Sequence, residues 1–411
     1  MSEVQSFDVA IVGGGLVGAT LAEALRPTGL RLALVEARPM PAAADGDDYD
    51  ERSLALGWGS RQILAGLGLW DALAAHATPM TEVHVSERGR FGVTRLRARD
   101  ERLPALGYVL TLRHLGAALA ARLADHPRLT VFRPAEARAV TQEADAVRLR
   151  LAGAGAPEAI RARLLVAADG SDSPLRARLG IAARQVDYGQ WGVIGNLTPQ
   201  HPPAGRAFER FTPDGPLALL PLAGDRCAFV WTLPPARAEA ALALDERDFL
   251  AALQARFGRR LGAFRRVGRR QGFPLRLVRP ARLVAGRGLL IGNAAHTLHP
   301  IAGQGFNLAL RDVAELAQRL AGAADPGAPE LLAAWARRRQ ADIDATQRAT
   351  DGLLRLFTNP WPPLSHARAA GLLLLDRLPP LKHRLAWLGM GWRAGQGGPL
   401  FQGRPLPAEA T

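Results

Sequence analysis

The feature that most constrains the fold of this chain is a glycine-rich turn close to its N-terminus. An apolar run at residues 7–12 leads directly into a Gly-x-Gly-x-x-Gly motif at 13–18, and a second apolar run at 30–35 ends at Glu36. Short apolar runs rich in β-branched residues are typical of buried parallel strands. The order therefore predicts a strand, a tight turn, a helix and a parallel strand, which commits this part of the chain to an open α/β sheet.

Each glycine of this turn meets a different steric need. Gly13 permits the tight turn, Gly15 lets the backbone approach a pyrophosphate, and Gly18 lets the helix pack closely on the strand. The phosphates would lie at the start of the helix, where free N–H groups and the helix dipole favour an anion. Glu36 can accept both hydroxyls of an adenosine ribose, and an acid at this position favours FAD or NAD over NADP.

A second candidate binding position follows the apolar run at 164–168. This run ends at Asp169 and Gly170, and serines at 171 and 173 precede a predicted helix. In open α/β sheets, ligands bind at the carboxyl ends of the strands. The structural alternative is a plain turn with a good helix cap.

A third candidate position is the loop after the apolar run at 288–292. Asn293 follows this run, and the glycine-containing loop at 300–307 then leads into an amphipathic helix. Backbone N–H groups at such a helix start can lie against an electron-rich ring or an oxyanion.

The middle of the chain has a different character. Residues 181–272 are rich in proline, glycine and aromatic residues, and the segments at 217–222 and 227–233 indicate a largely antiparallel sheet. A chain of 411 residues is also longer than the roughly 250–300 residues of a single core. We therefore predict an α/β nucleotide-binding domain that a mostly antiparallel β-sheet substrate domain interrupts, followed by C-terminal helices.

Composition excludes several classes of protein. Cys227 is the single cysteine, so neither a disulfide framework nor a multi-cysteine metal site is expected, and we predict no metal site. The net charge is +14, but Lys382 is the only lysine among 52 basic residues, which indicates a compositional bias toward arginine rather than nucleic-acid binding. The N-terminus has no basic segment before its first apolar run, which predicts no signal peptide.

In combination, these segments resemble one family. The run at 290–312 is the most specific, and further similar segments lie at 52–56, 83–86, 208–211 and 223–226. Over essentially its full length the chain resembles the single-component FAD-dependent aromatic hydroxylases with the para-hydroxybenzoate-hydroxylase fold. Within that group it is similar to the hydroxylases of ubiquinone biosynthesis. Asn293 stands where many members have aspartate, which resembles the branch that acts on 2-polyprenyl-6-methoxyphenol.

The resemblance implies a Rossmann-like FAD-binding domain of the GR2 type in three parts. We expect these parts at 1–80, 107–180 and 273–345, the substrate domain at 81–106 and 181–272, and a helical region at 346–411.

The resemblance also implies roles for individual residues. FAD-binding roles carry over to Gly13, Gly15, Leu16, Val17, Gly18, Glu36, Arg52, Arg113, Asp169, Gly170, Asn293, Pro300, Gly303, Gln304, Gly305, Phe306 and Asn307. For Arg113 the alternative is a solvated helix arginine. Catalytic roles carry over to Arg52, His296 and Pro300, and the alternative for His296 and His299 is that they only shape the loop.

The implied activity is hydroxylation of a polyprenylated phenol with O2 and NAD(P)H, through a flavin C4a-hydroperoxide. Two alternatives stay open at this point: a hydroxylase of small soluble phenols, and a non-catalytic FAD-binding subunit of a quinone-biosynthesis assembly. The expected partners are a lipophilic phenol, O2 and a multi-enzyme ubiquinone-biosynthesis complex, and the expected location is the cytoplasm, peripheral on the inner face of the membrane.

The leucines at 372–388 form an amphipathic pattern that suits either a membrane surface or internal packing. The ten arginines at 256–282 suit either a solvated face or anionic lipid.

Overall fold

The structure is a computed structural model that describes residues 4–39, 49, 51–392 and 397–407. The first residues of the chain, on which the prediction of no signal peptide partly depends, lie outside the described residues. Within the described part, no helix is both long and apolar enough to cross a bilayer.

The described residues form nineteen strands. These are β1 Gln5–Val12, β2 Leu32–Val35, β3 Ser53–Gly57, β4 Thr78–Met80, β5 Glu82–Glu87, β6 Val93–Arg97, β7 Gly107–Thr111, β8 Leu129–Phe132, β9 Glu136–Gln142, β10 Val147–Ala152, β11 Ala159–Ala167, β12 Ala183–Pro199, β13 Arg206–Thr212, β14 Gly215–Leu222, β15 Arg226–Leu233, β16 Phe264–Val267, β17 Gln271–Pro280, β18 Val284–Ala285 and β19 Gly288–Leu290.

Eleven α-helices lie in the same described ranges. These are α1 Leu16–Ala24, α2 Trp58–Gly66, α3 Trp70–Ala74, α4 Leu112–Ala124, α5 Pro174–Arg178, α6 Pro235–Ala243, α7 Glu246–Phe257, α8 Gln304–Leu320, α9 Pro329–Thr358, α10 Pro362–Arg377 and α11 Pro379–Gly389.

The first sheet has the predicted strand–turn–helix–strand unit at its centre. Its strand order is β18-β19-β11-β1-β2-β8, with β10 and β9 added at β11. The central pairs are parallel, and Val12 at the end of β1 lies opposite Val35 on β2 and Ala167 on β11. Both faces of β1 are covered, since Ala10 and Ile11 are fully buried. The carboxyl ends of three parallel strands consequently meet at one edge.

The second sheet is mostly antiparallel, as predicted for the middle of the chain. Its order is β16-β12-β15-β14-β13-β5-β6, with β17 paired to β12, and β13–β5 is its parallel pair. One face packs on α6 and α7 through a cluster that includes Phe229 and Phe249. Residues of the opposite face, including Ala207 and Ala228, pack with Met80 and Val109 of the small sheet β3-β7-β4.

The C-terminal helices cover the edge strand β6 of the second sheet. Thr94 donates a hydrogen bond to the carbonyl of Leu372 at 2.7 Å, and the N–H of Arg95 donates to Asp376 Oδ1 at 2.8 Å. An uncovered edge strand is a template for unwanted strand pairing, and these contacts block it.

The α/β architecture with an inserted antiparallel sheet and C-terminal helices is confirmed, whereas some element limits differ from the predictions. Residues 62–70 have a composition that predicts a helix, but α2 begins at Trp58 and ends at Gly66, because Gly68 adopts a left-handed conformation with φ of 69°. The small sheet β3-β7-β4 was not predicted from the sequence. The six-part division of the chain stays a prediction.

Candidate active site

The first two glycine-bearing turns touch each other at the carboxyl edge of the first sheet. A Cβ added at Gly13 would lie 2.3 Å from the carbonyl oxygen of Ala168, and one added at Gly18 would lie 1.9 Å from the carbonyl oxygen of Gly13. Gly13 also has φ of 109°, a conformation that favours glycine. These positions cannot hold a side chain without moving the backbone.

The third turn meets the other two at the same edge. A Cβ added at Gly292 would lie 3.1 Å from Val17 in the first turn of α1. Thr297 donates a hydrogen bond to Ser171 at 3.2 Å, and so connects the loop after β19 to the loop after β11. Three segments that are distant in the sequence therefore surround one concave edge.

The concave edge has the properties that a dinucleotide needs. A Cβ added at Gly15 or at Gly305 would meet no protein atom within 4 Å, so the backbone is open to a ligand at both positions. The first turns of α1 and α8 carry no acidic residue, and neither helix has a side-chain cap. Their free N–H groups and dipoles favour an anion or an electron-rich ring.

Glu36 lies where a ribose of the dinucleotide would be held. Its carboxylate accepts hydrogen bonds from the N–H groups of Gly14 at 2.6 Å and Arg38 at 2.7 Å. These bonds orient the side chain at the end of β2, and a carboxylate retains further lone pairs for sugar hydroxyls.

Two unpartnered buried oxygen atoms, one in the third turn and one next to Arg52, also fit a bound cofactor. Oε1 of Gln304 and Oε2 of Glu51 have no hydrogen-bond partner among the described residues. The amide nitrogen of Gln304 instead donates to the carbonyls of Ala302 and Gly389. An unpartnered buried oxygen is costly, so a donor from a ligand would stabilise it.

Asn307 fixes the third loop to β3 and α2. Its side-chain oxygen accepts from Gly57 N–H at 2.8 Å and from Ser60 at 2.6 Å, and its side-chain nitrogen donates to the carbonyls of Ala55 and Gly303. The amide of Asn307 thus orients the loop, while Phe306 is partly buried against the core.

Asp169 is turned toward the start of α5. Its carboxylate accepts hydrogen bonds from the hydroxyl of Ser173 and from the N–H of Leu175, and Ser173 itself accepts from the N–H of Arg176. Gly170, with φ of 93°, has no protein atom near a would-be Cβ. The sequence left a helix cap and a ligand contact as alternatives here, and the structure shows the cap at Ser173 and an open backbone at Gly170.

His296 is buried within a charged network behind the third loop. Its Nε2 atom lies 2.6 Å from Asp312 Oδ2, and Asp312 also accepts from the N–H of Gly292 at 3.0 Å and from Arg339 at 2.8 Å. Burial alone would raise the pKa of Asp312, but the charges of His296 and Arg339 hold it below its ordinary value. Asp312 ends the family-like run at 290–312, but nothing in the local sequence shows that it faces His296.

His299 is fully buried on the other side of the same loop. Its Nε2 atom lies 3.3 Å from Gln190 Oε1, and its ring packs edge-on against Tyr188. Burial lowers the pKa of His299 to about 4, so its imidazole is neutral at pH 7. Burial, followed by a hydrogen bond to Asp351, raises the pKa of Tyr188 above its usual range.

Two further predicted residues, Arg52 and Arg113, lie just before β3 and in the first turn of α4. Arg52 is exposed and lines a cavity of about 60 Å³ together with Ile194 and Val230 of the second sheet. Arg113 is partly exposed and forms an ion pair with Glu51 at 2.6 Å.

The last two predicted residues, Asn293 and Pro300, lie in the segment between β19 and α8. Asn293 is exposed at the carboxyl edge of the first sheet. The carbonyl of Pro300 accepts a hydrogen bond from Gly303 N–H, so its loop curls toward the start of α8.

The structure adds Glu209 to this region. Residues on β13 alternate between the two faces of the sheet, so Glu209 shares a face with Ala207 and Phe211. Its carboxylate accepts a hydrogen bond from the N–H of Ala302 in the third loop, and burial raises its pKa to about 7. A sequence signal was available, because Glu209 alternates with the apolar residues Ala207 and Phe211, but no strand was predicted for this segment.

Comparison with known proteins agrees with this geometry. The model of the FAD binding domain family matches residues 6–350. Ubiquinone hydroxylase UbiL of Rhodospirillum rubrum is 38% identical over 388 residues, which cover 93% of this chain and 89% of that protein. The chain belongs to the ubiquinone-biosynthesis family of FAD-dependent hydroxylases. It is therefore an FAD-dependent monooxygenase, with NAD(P)H as co-substrate.

Two further proteins are similar to this chain, one in sequence and one in fold. The 3-demethoxyubiquinol 3-hydroxylase of Escherichia coli is 34% identical over 393 residues, which cover 94% of this chain and 99% of that protein. The crystal structure of the p-nitrophenol 4-monooxygenase PnpA from Pseudomonas putida superimposes with a TM-score of 0.78 at 18% identity and covers 95% of this chain and 100% of that one. At that identity the likeness shows the shared fold.

Proposed function

We propose that this hydroxylase adds a hydroxyl group to the ring of a polyprenylated phenol, of the 2-polyprenyl-6-methoxyphenol type, in ubiquinone biosynthesis. The observation that carries the proposal is the convergence of three glycine-bearing turns opposite the inner face of the second sheet. The similarity to ubiquinone hydroxylases supports the substrate class. When FAD is bound, the chemistry that it supplies is hydride uptake from NAD(P)H and transfer of one oxygen atom of O2, with the other released as water.

The adenosine half of FAD is assigned to the first turn. Gly13, Gly15 and Gly18 with Leu16 and Val17 leave the backbone of the α1 start free for the pyrophosphate, and Glu36 would hold the ribose. The open backbone at Gly170 lies beside this position, with Asp169 holding the turn.

The flavin ring is assigned to the third turn. Gly303, Gln304, Gly305 and Phe306 present the uncapped start of α8, and Asn307 holds their loop in place. Asn293 and Pro300 belong to the same loop region, and the exposed Arg52, beside the Glu51–Arg113 ion pair, would approach the flavin from the side of β3.

Besides binding FAD, the protein must exclude water from the reacting groups. The inner face of the second sheet presents Ala218, Val230 and Ile194 in neighbouring strands, and an apolar wall keeps water from the reacting carbon. His296 and His299 are buried beneath the loop, so they stabilise its shape rather than expose a proton to solvent.

The function is tested by product analysis. The purified holoenzyme is mixed with NADPH, isotopically labelled O2 and guaiacol carrying one dimethylallyl group, and the products are examined by mass spectrometry. We expect one labelled oxygen atom in the ring, and a lower rate with unprenylated guaiacol. Bound flavin with no labelled product from any phenol would instead indicate a non-catalytic subunit, and equal rates on both phenols would indicate a hydroxylase of small soluble phenols.

Deletion of the gene tests which step of quinone biosynthesis the enzyme catalyses. Accumulation of a prenylated phenol that lacks one hydroxyl group would identify both the pathway and the ring position. Unchanged quinone content in the deletion strain would contradict the proposal.

We further propose that the C-terminal helices contact a membrane surface. Leu374 and Leu381 are 58% and 50% exposed on α10 and α11, and the exposed Arg377 and Arg384 lie close to them in sequence. Part of the leucine pattern instead packs inward, since Leu372 is buried. Internal packing therefore accounts for Leu372, whereas the exposed leucines would suit a lipid interface through which a prenylated substrate enters.

A further inference from the structure

Glu209 lies where the inner face of the second sheet meets the loop that is assigned to the flavin ring. Its carboxylate accepts a hydrogen bond from the N–H of Ala302, which adopts a left-handed conformation with φ of 56°. Ala302 lies between Pro300 and Gly303, so Glu209 is held next to the start of α8. The contact joins two parts of the chain that are distant in sequence.

The strand register places Glu209 at one end of an otherwise apolar row. Glu209 lies opposite Ala218, Ala218 lies opposite Val230, and Val230 lies opposite Ile194. Residues directly opposite each other share a face of the sheet and lie about 5 Å apart. Val230 and Ile194 line the same small cavity as Arg52. The row therefore runs along the wall of the proposed active site. Three of its residues are apolar, and the fourth, Glu209 on β13, carries a carboxyl group.

The surroundings of Glu209 supply no counter-ion. The elements packed around it are β5, the neighbouring part of α9 and the third loop. Their charged and titratable groups nearest in register or sequence, together with those of β13 itself, include Arg206, Arg210, Glu82, His84, Glu87, Arg348, Asp351, Arg355 and His299. Glu82 pairs with Arg97, Glu87 pairs with Arg368, and Asp351 accepts from Tyr188. Within the described ranges Glu209 forms no ion pair, and burial raises its pKa to about 7.

We propose that Glu209 accepts the proton of the substrate phenol during hydroxylation. This inference rests on the proposed function. In this step the phenol O–H bond breaks, a new O–H bond forms on a carboxylate oxygen of Glu209, and the electron pair remains on the phenolate oxygen. A phenolate ring is richer in electrons than the neutral phenol and is attacked more readily at the carbon that gains oxygen. The contact with Ala302 places the carboxylate of Glu209 beside the loop that is assigned to the flavin ring. Within the described part of the chain no counter-ion holds this carboxylate permanently ionised, so it can take up a proton.

The variant Glu209→Gln separates this role from a structural one. Glutamine keeps an oxygen that can accept from Ala302 N–H but cannot take a proton near pH 7. We expect E209Q to bind FAD as the wild type does and to hydroxylate dimethylallyl guaiacol about 100-fold more slowly, which is the usual size of a general-base contribution. In the wild type the rate should rise with pH through an ionisation near 7, and this rise should be missing in E209Q.

A binding measurement tests the same residue without turnover. Dimethylallyl guaiacol and its methyl ether are titrated into each protein, and the change in the flavin spectrum is followed between pH 5.5 and about 8.5, a range that brackets the pKa of about 7. We expect the wild type to prefer the phenol over its ether by about 10-fold, increasingly so at higher pH, and E209Q to bind both equally. Glu82→Gln, which removes an ion-paired carboxylate of the same sheet, is the matched control and should behave as the wild type.

The two readouts separate failure of the inference from failure of the proposed function. A wild type that hydroxylates the phenol, with an E209Q variant of unchanged rate, pH profile and phenol preference, overturns the role of Glu209 and leaves the function intact. A wild type that hydroxylates no phenol overturns the function, whereas a phenol preference that disappears in E209Q still supports Glu209 as the group that receives the phenol proton.

Discussion

His296 and Asp312 form a buried contact of 2.6 Å directly behind the loop that is assigned to the flavin ring. Asp312 also accepts a hydrogen bond from the N–H of Gly292, and Gly292 lies against Val17 at the start of α1. The network therefore connects the third turn to the first through the core. Because Arg339 completes it from α9, the relative position of the three turns depends on a set of charges far from solvent.

Replacement of Asp312 by Asn should destabilise the holoenzyme strongly. The change leaves His296 and Arg339 without their shared carboxylate, and removing a member of a buried ion pair costs about 3–5 kcal/mol. The free energy of unfolding from urea titration measures the effect. Asp344→Asn is the control, because its partner Arg279 is 44% exposed and such a pair contributes about 0–1 kcal/mol.

The contribution of Asp312 should also depend on pH. Its pKa is lowered in the native state, so its stabilisation is present above the unfolded pKa of about 3.9 and is lost as the pH falls through the native value. The stability difference between wild type and D312N should therefore be constant from neutral pH down to about pH 5 and shrink only in stronger acid. A difference that disappears already near pH 6 would contradict this assignment.

Two glycines of the first turn should respond differently to the same added methyl group. In Gly18→Ala the new Cβ would lie 1.9 Å from the carbonyl oxygen of Gly13, so the fold itself should be destabilised. In Gly15→Ala, at φ of −70°, the Cβ meets no protein atom, so the apoprotein should keep its melting temperature while FAD binds at least about 10-fold more weakly. Melting temperatures and flavin titration distinguish the two, and a G15A variant with full FAD affinity would refute the assigned position of the pyrophosphate.

His299 should make the protein less stable in mild acid. Burial lowers its pKa to about 4, so its neutral form contributes stability that is complete above the unfolded pKa of about 6.5 and is lost as the pH falls toward 4. Between pH 7 and about 4.5 the wild type should lose roughly 2 kcal/mol more unfolding free energy than His299→Gln. His201→Gln, which removes an exposed histidine, should lose as much as the wild type. Equal losses in all three proteins would argue against a buried neutral His299.

Exposed leucines of the C-terminal helices should govern binding to lipid vesicles. The double variant Leu374→Ser and Leu381→Ser removes apolar surface that is worth roughly 1.5–3 kcal/mol for each buried side chain. We expect at least about 10-fold weaker binding to vesicles of phosphatidylglycerol and phosphatidylethanolamine, measured by co-sedimentation, at an unchanged melting temperature. Val131→Thr alters an exposed apolar residue on the distant strand β8 and should leave vesicle binding unchanged. Should the double variant bind as tightly as the wild type, the apolar helix surface would not be a membrane contact.

Much of the cofactor region was predictable because its signals are local. The turn that needs glycine at 13, 15 and 18 is written in six adjacent residues, and a Cβ at Gly18 would strike the carbonyl oxygen of Gly13 within that same turn. The same holds for the acid that ends the second strand and for the cap at Ser173. The strand–turn–helix order around Gly15 was accordingly correct, with limits that differ by a few residues because helix ends depend on neighbouring contacts.

The roles of the polar residues were much less predictable. Asn307 could be read as a flavin contact, yet its amide is bonded on all sides to β3, α2 and its own loop. His296 could be read as a proton carrier, yet its partner is a carboxylate on α8. Such choices depend on which groups come within hydrogen-bond distance, and the sequence around each residue does not contain that information.

The glycine turns and the strands and helices that follow them can be predicted from local sequence, because steric exclusion and hydrophobic periodicity act over a few residues. The contacts of Glu209 with Ala302 and of Asp312 with His296, and the exposure of Leu374 but not of Leu372, depend on how the segments pack. Burial, and with it the pKa of a carboxyl or an imidazole, arises from packing between segments that are distant in the chain, so no local stretch of sequence contains it.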